Sequence, residues 1–506
     1  MPTLTPANQR LTESMAAAGG RTASRKVTTV VQVAWRSVGA SMLRQRRSVG
    51  RGARQAAAAA LCVLGVTPAA GRCQTLAITR VTVIDGRSAA PRPNQSVLLR
   101  GNRIVAIGRS DSVPLPPGAQ QIDGRGKFLI PGLWDMHVHT VMPGGRTVLP
   151  LYLANGVTGV RDMAGDWEQL QAWRRDIAAG RLRGPRMVVS GPYIEGGDVP
   201  IPHLLARTPD EARQAVDSLV RLGVDFIKLH SQFRREVFFA AARRARERGI
   251  PFTGHVPRSI GAIEASDSGQ RSLEHLLQIP SPCTPAESTA LAPRFQVQSV
   301  LARCSSADLS PLWATLVRNG TWVVPTLVAQ YEVANWPDRS LPGDAYAKYL
   351  PDSLRRYVAE IFPMPDDVPA GANTVGLQLF ERRVAVVGIM HRAGVAVMPG
   401  TDAPLRNSPP GFGLHEELAL FARAGLSNFD ILRAATWEPA RYFGMTDSLG
   451  TVTVGKLADL VLLEANPLED IANLRRISAV VANGRLMTSD ERSSLLKELA
   501  KAALAR

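Results

Sequence analysis

Between Leu133 and about Gly444, short apolar runs alternate with longer segments rich in Ala, Arg and Glu, and β-rich, turn-punctuated stretches flank this region on both sides. No other feature limits the fold as tightly. The runs Val157 to Arg161, Met187 to Ser190, Phe226 to Leu229, Phe252 to His255 and Val395 to Pro399 have the length and composition of buried strands, and what separates them is helical in texture. Alternation on that scale predicts βαβ units and a parallel sheet. On the N-terminal side, Ala77 to Ile84, Ser96 to Arg100 and Arg103 to Ile107 are separated by the turn signals Asp85-Gly86, Pro91 to Asn94 and Gly101-Asn102. On the C-terminal side the same texture returns in Thr451 to Val454, Leu460 to Glu464 and Val480 to Ala482, with turns at Asn466-Pro467 and Asn483-Gly484. The two β-rich ends are expected to pair. The predicted architecture is a (β/α)8 barrel over 132–448 inserted into a small β-sandwich made from 74–131 and 449–490, with a leader over 1–73 and a helical tail over 491–506.

At 506 residues, 45% of them hydrophobic, the chain can bury a large core, which excludes fibrous, coiled-coil and wholly disordered readings. The formal net charge of +17 would suggest a nucleic-acid partner if it covered a folded surface. It does not: residues 1–73 hold eleven Lys or Arg against one acid, Glu13, and the rest of the chain has a surplus of only seven basic residues. No aromatic interleaving or recognition fold accompanies the basic run, so no nucleic-acid partner is expected. Instead, Arg44 to Arg54 leads into the apolar segment Ala56 to Val66 and then Pro68-Ala69-Ala70-Gly71, the order of a secretory signal and its cleavage site, with Met42 just ahead of it. Eleven apolar residues are too few for a lasting membrane span. Export to the periplasm or the exterior is the expectation, and a disordered Ala/Arg-rich tail is the alternative. Of the four cysteines, Cys62 lies in the apolar segment and Cys73 follows Arg72, the wrong residue for lipoprotein processing. Cys283 and Cys304 are free to pair in an oxidising compartment, and the residues do not decide whether they do.

The sharpest local signal is Pro131-Gly132-Leu133-Trp134-Asp135-Met136-His137-Val138-His139, at the junction of the first β-rich unit and the alternating region. Side chains alternate faces along a strand, so Asp135, His137 and His139 share one side and the two imidazoles converge. That suits a borderline cation such as zinc, although an HxH alone is a weak signal. Other strand-like runs end in residues that an apolar core would not choose: Lys228 in Phe-Ile-Lys-Leu-His, His255 in Thr-Gly-His-Val-Pro, His275 in Leu-Glu-His-Leu and Asp402 in Pro-Gly-Thr-Asp-Ala. Singly, each has a bland explanation as a solvated lysine, a packed histidine or a turn. Together they fall where a barrel builds its active site, at the C-terminal ends of successive strands.

With these residues in view, the sequence resembles the amidohydrolase superfamily, and within it the imidazolonepropionase-like and Xaa-Pro dipeptidase-like secreted members. The resemblance spans about 76–487 and includes Val-Ile-Asp-Gly (83–86), the Pro-Gly-Leu-Trp-Asp-Met-His-Val-His element, Asn-Gly-Val-Thr-Gly-Val-Arg-Asp (155–162), Gly-His-Val-Pro (254–257), Gly-Thr-Asp-Ala (400–403), Gly-Lys-Leu-Ala-Asp-Leu-Val-Leu-Leu (455–463) and Asn-Gly-Arg (483–485). It implies that His137 and His139 hold one divalent metal ion and that His255 and His275 hold a second. It also implies that Lys228, carboxylated by carbon dioxide, bridges the two, and that Asp402 binds the first metal while facing a bridging hydroxide. The chemistry accounts for these residue types. A carbamate presents two oxygens and a negative charge where an ammonium offers no lone pair, two metals acidify a shared water, and Asp402 is then placed to take its proton and return it to a leaving nitrogen. Zinc suits this nitrogen-rich set, and manganese, iron or cobalt are also compatible with it.

One position departs from the family pattern. Close relatives place a Tyr two residues after the bridging Lys, and here that residue is His230, which is either a substrate contact or a structural histidine. Tyr193 and His203, in the irregular stretch 191–209, are substrate-contact candidates from loop position. His415-Glu416-Glu417-Leu418-Ala419 begins like the HExxH zinc helix but ends in Ala, so an ordinary helix is expected.

The leading expectation is a secreted binuclear metallohydrolase that cuts an amide bond in a dipeptide or N-acyl amino acid, with Xaa-Pro-like or C-terminal-residue cleavage foremost. A cyclic-amide hydrolase resembling imidazolonepropionase, with one metal, and a non-catalytic scaffold of the same fold are the rivals. A small molecule or dipeptide is the expected partner, and a homo-oligomer is compatible with the residues. Export makes a direct prediction: protein from the native host should begin near Gln74 on N-terminal sequencing, whereas residues 1–50 intact on the functional protein would rule the signal out.

Overall fold

The computed structural model describes residues 75–504 apart from 200–202, 283–303, 306, 336–339 and 362–371. The leader over 1–73, with its signal segment, Cys62 and Cys73, and any pairing of Cys283 with Cys304 lie outside the described residues. No helix among the described residues is long and apolar enough to cross a membrane.

The two β-rich ends pair, as their composition predicts. Thr75–Val83, Arg92–Arg100 and Arg103–Arg109 form an antiparallel meander. Gly101 adopts φ 57 in the two-residue loop that lets Arg100 face Arg103, a conformation open to glycine at no steric cost. From the other end, Leu460–Leu463 pairs antiparallel with Phe128–Pro131, Leu460 against Pro131 and Leu463 against Phe128. Ile477–Ala482 and Arg485–Thr488 extend the sheet, and Gln120–Asp123 runs beside Thr75–Val83, giving eight strands in all. Leu76, Ile78, Val83 and Leu129 from one end pack with Leu460, Leu462 and Val481 from the other in a separate core. Thr451 to Val454, predicted as a strand, forms none: Gly450 and Gly455, at φ 85 and 89, break the run at both ends.

Within this frame every ladder is parallel. Leu133–Val138, Val157–Asp162 and Arg186–Val189 make a three-stranded sheet. Ile194–Glu195, Ile227–Leu229, Phe252–Gly254, Ser272–Glu274 and Trp322–Val324, with Leu204–Leu205 at the edge, make a six-stranded one. Helices lie between most successive strands in the chain, Arg186–Val189, Ile194–Glu195 and Leu204–Leu205 following one another without one, so the arrangement is TIM-barrel-like α/β. The bridges Val138 to Ala403 and Val323 to Val397 carry the segment 395–403 between the first and last strands, but the ladders do not run on into one closed ring. Val395 to Pro399, predicted as a strand, makes only that isolated bridge. Pro399 has no N–H to continue the ladder, and its carbonyl turns to accept from Met136 at 2.9 Å.

The helices carry their own signals. Pro209–Leu222 starts on Thr208, whose hydroxyl accepts from the backbone of Glu211 while the Glu211 carboxylate returns the bond, and it ends on left-handed Gly223. It buries Ala212, Ala215, Val216 and Leu219 at the 3–4 spacing of one face. The C-terminal helix Ser489–Leu504 packs on the helix Gly145–Ala154 and on the last two strands, and Arg492 Nε donates to the Ala154 carbonyl at 2.5 Å. The HExxH-like segment is an ordinary helix, Phe412–Arg423, as expected. His415 Nε2 meets the Asn155 carbonyl at 3.0 Å, and Glu417 accepts from the backbone N–H groups of Leu327 and Val328 at 3.0 and 2.7 Å, so both residues serve structure.

Candidate metal centre

The strand Leu133–Val138 is buried throughout, and it holds two polar side chains at full burial, Asp135 and His137. Burial of a carboxylate requires donors, and Asp135 has three: Thr401 Oγ1 at 2.6 Å, Thr401 N at 3.0 Å and His137 N at 3.3 Å. Asp402 N donates to the His137 carbonyl at 2.7 Å, and His139 N to the Ala403 carbonyl at 2.7 Å. These bonds splice segment 400–403 to the first strand and hold Asp402 at φ 57, a left-handed conformation that Asp tolerates better than most residues. Asp402 Oδ1 comes to 3.3 Å from His137 Nε2 and 3.1 Å from His139 Nε2. Burial opposes ionisation of Asp402, but His275 and His137 hold its carboxyl well below the usual range.

His255 and His275 each stand one residue past a strand end, after Phe252–Gly254 and Ser272–Glu274. His275 lies 4.4 Å from the His137 ring and 4.8 Å from the His255 ring, centre to centre. Each imidazole has a hydroxyl on Nδ1, Ser231 Oγ at 2.5 Å for His255 and Thr326 Oγ1 at 2.7 Å for His275, which leaves Nε2 for other work. Burial first, with the charge of Lys228 adding to it, pushes both well below the usual histidine range, towards the neutral form that ligates metals.

Lys228 sits in the middle of Ile227–Leu229, flanked by Ile194–Glu195 and Phe252–Gly254. It is 1% exposed, and no described residue gives its Nζ a hydrogen bond. Desolvation pulls the ammonium down to about 8, against the opposing pull of Glu274 and Asp402. The His137 Nε2 atom is likewise buried without a hydrogen bond. Two buried polar atoms without a hydrogen bond in a nitrogen-rich cluster fit a metal site, and His137, His139 and Asp402 offer ligand atoms all within 4.8 Å of one another.

The substrate-contact candidates also come together. The Tyr193 ring lies 4.7 Å from His230 and 6.0 Å from His203, stacked on the latter at 18°. His230 stands 4.2 Å from His255, so this wall adjoins the cluster. Glu195, which the sequence did not single out, takes a hydrogen bond from His230 Nδ1 and others from Gln232 N at 2.7 Å and Gly196 N at 2.6 Å. Glu274 and Arg161 were missed as well. Arg161 lies in the 155–162 motif quoted for the resemblance and Glu274 in the Leu-Glu-His-Leu run quoted for His275, and a charge inside an otherwise apolar strand was the signal available for Arg161.

Comparison with known proteins agrees with this geometry. The amidohydrolase family model matches residues 128–487. An imidazolonepropionase of Anaeromyxobacter dehalogenans is 34% identical over 116 residues, a match covering 20% of this chain and 26% of that protein, so it speaks for only part of that relative's length. An ochratoxinase of Aspergillus niger is 23% identical over 458 residues, 77% of this chain and 81% of its own. Among solved structures, a Xaa-Pro dipeptidase with methionine bound in its active site superposes with a TM-score of 0.61 at 21% identity, covering 82% of this chain and 100% of that one. The chain therefore belongs to the amidohydrolase family, whose members are metal-dependent hydrolases of carbon–nitrogen bonds.

Proposed function

We propose that this protein is an exported binuclear metallohydrolase that cleaves the amide bond of a dipeptide or N-acyl amino acid. The observation that carries the reading is Lys228: a fully buried amine with no hydrogen bond from a described residue, whose charge is felt by His137, His230, His255 and His275 and is opposed by Asp402. As an ammonium between two cations it would meet repulsion on the order of 4 kcal/mol per unit like charge at about 4 Å and an effective dielectric near 20. As a carbamate it attracts both. In this reading His137, His139 and Asp402 would hold one ion, His255 and His275 would hold the other, and Lys228, as a carbamate, would supply oxygens to both. The donor set fits zinc. The ions would supply an acidified water and polarise the scissile carbonyl. Asp402 Oδ1, beside His139, would hold the water's proton and return it to the leaving nitrogen. His230, held by Glu195, and Tyr193 and His203 behind it, form the wall that binds the substrate.

Three finer readings belong to the same proposal. The bridges at Val138 and Val323 favour a barrel closed through 395–403, and the mixed core shared by both chain ends favours a small sandwich beneath it. The basic and apolar order of residues 44–71 favours export. The cyclic-amide alternative draws on the likeness to imidazolonepropionase, but with one metal it leaves Lys228 without a partner. The scaffold reading leaves the whole ligand set without a purpose.

Lys228→Ala is expected to lose one or both metals on elemental analysis together with most activity, and a short carboxylic acid should restore part of that activity by supplying the missing oxygens. Two metals per chain with normal turnover in that variant would put the mononuclear alternative first. Asp402→Asn should lower kcat by about 10²–10⁴-fold, the usual reach of positioned proton transfer, with the fold unchanged by circular dichroism. Near-normal kcat at normal metal content would end the proton-shuttle role. A panel of dipeptides and N-acyl amino acids sorts the substrate readings.

A further inference from the structure

Arg161 and Glu274 are fully buried, lie on neighbouring parts of the strand cluster, and have no place in the chemistry above. Glu274 Oε2 meets His137 Nδ1 at 2.8 Å, and both carboxylate oxygens lie 2.9 Å from Arg161 Nη2. Oε1 also accepts from Ser272 Oγ at 2.6 Å and Thr253 Oγ1 at 2.9 Å. Arg161 is itself fixed: Nε donates to the Met136 carbonyl at 2.6 Å, and Nη1 to Tyr442 Oη at 2.9 Å and Ser272 Oγ at 2.8 Å. Its guanidinium also packs over the Tyr442 ring, 5.1 Å from the centre. The carboxylate is thus supplied with donors on every side, and one of them is an imidazole.

That arrangement dictates a tautomer. Ionised Glu274 can only accept, so the hydrogen of neutral His137 must sit on Nδ1 and the lone pair on Nε2, the buried atom without a hydrogen bond that faces Asp402. His255 and His275 have hydroxyls in the equivalent place, Ser231 and Thr326, which can donate or accept and so impose no tautomer. Of these three imidazoles His137 alone is tied to a carboxylate. An anionic acceptor on the far nitrogen also raises the basicity of the ligating one.

We propose that Glu274, kept in place and in charge balance by Arg161, is a positioning residue that fixes His137 as an Nε2 ligand and strengthens the metal site that His137 shares with His139 and Asp402. The proposal rests on the metal-centre reading given above. It assigns a role to the Val-Arg-Asp and Leu-Glu-His motifs through Arg161 and Glu274, and it makes the two metal positions unequal.

Glu274→Gln is the near-isosteric test. Holoenzyme loaded with Co(II) is titrated with a chelator, and the variant should release its more tightly held ion at about 10–100-fold weaker affinity than the parent, the range seen when such outer partners are lost. Its Co(II) absorption spectrum should shift, while the metal-free variant melts close to the metal-free parent. Unchanged affinity and spectrum with a lowered metal-free melting temperature would make Glu274 a structural brace only and overturn the proposal. A parent protein that takes up no Co(II) at all would instead refute the metal-centre reading. Should Glu274→Gln fail to fold, nitrogen-15 NMR of histidine-labelled parent holoprotein answers the same question: Nδ1 protonated and Nε2 metal-bound at His137 supports the assignment, and ligation through Nδ1 overturns it.

Discussion

Charge balance in a space that water barely reaches is the constraint on which this structure turns. Asp135 and Glu274 are fully buried, Asp402 keeps 21% of its side chain exposed, and Arg161 is the buried guanidinium set among them. Each buried charge needs partners at hydrogen-bond distance or its desolvation is not offset. Asp135 finds them in Thr401, and Glu274 in Arg161, Ser272 and Thr253. Among the described residues, Asp402 finds them in two imidazoles, and Lys228 Nζ has no hydrogen-bond partner. The groups left for a metal are therefore Lys228 Nζ and the Nε2 atom of His137, while Asp135 and Glu274 are satisfied by the protein itself.

The fold meets this demand by division of labour. The sheet made from both chain ends closes its own apolar core and clamps the start of the first parallel strand, since Phe128–Pro131 runs straight into Leu133–Val138. The parallel strands then deliver one or two polar residues each at their C-terminal ends. Segment 395–403 does not complete a strand but is pinned by Asp135 and the His137 backbone, which brings Asp402 to the ligands furthest from it in the chain. Glu417 performs a similar service at a distance. By capping the start of the helix Leu327–Ala334 it fixes the turn that carries Thr326, the partner of His275.

Much of this was legible in the sequence, and the limits have physical causes. His137 and His139 stood out by their alternation in one strand, and Lys228, His255, His275 and Asp402 because each is a polar residue at the end of an apolar run, all local features. Tyr193 and His203 rested on loop position, and the structure brings them beside His230. Glu274 and Arg161 were passed over because their contact links residues 113 positions apart, and no local pattern encodes which strands become neighbours. Glu195 lies in a two-residue strand followed by two glycines, where a carboxylate reads as ordinary surface. The two strand predictions that failed, at 395–399 and 451–454, failed where Pro399 and the glycines at 450 and 455 end the ladder, punctuation that outweighs β-rich composition.

The central claim is that Lys228 joins two metal ions as a carbamate, and a crystal structure of metal-loaded protein grown in the presence of bicarbonate, with anomalous data collected at the zinc edge, tests it most directly. The account predicts two anomalous peaks, one among His137, His139 and Asp402 and one between His255 and His275, with added density on Lys228 Nζ reaching both. A single peak beside His137 and His139, with Lys228 a bare amine turned away from it, would contradict the account.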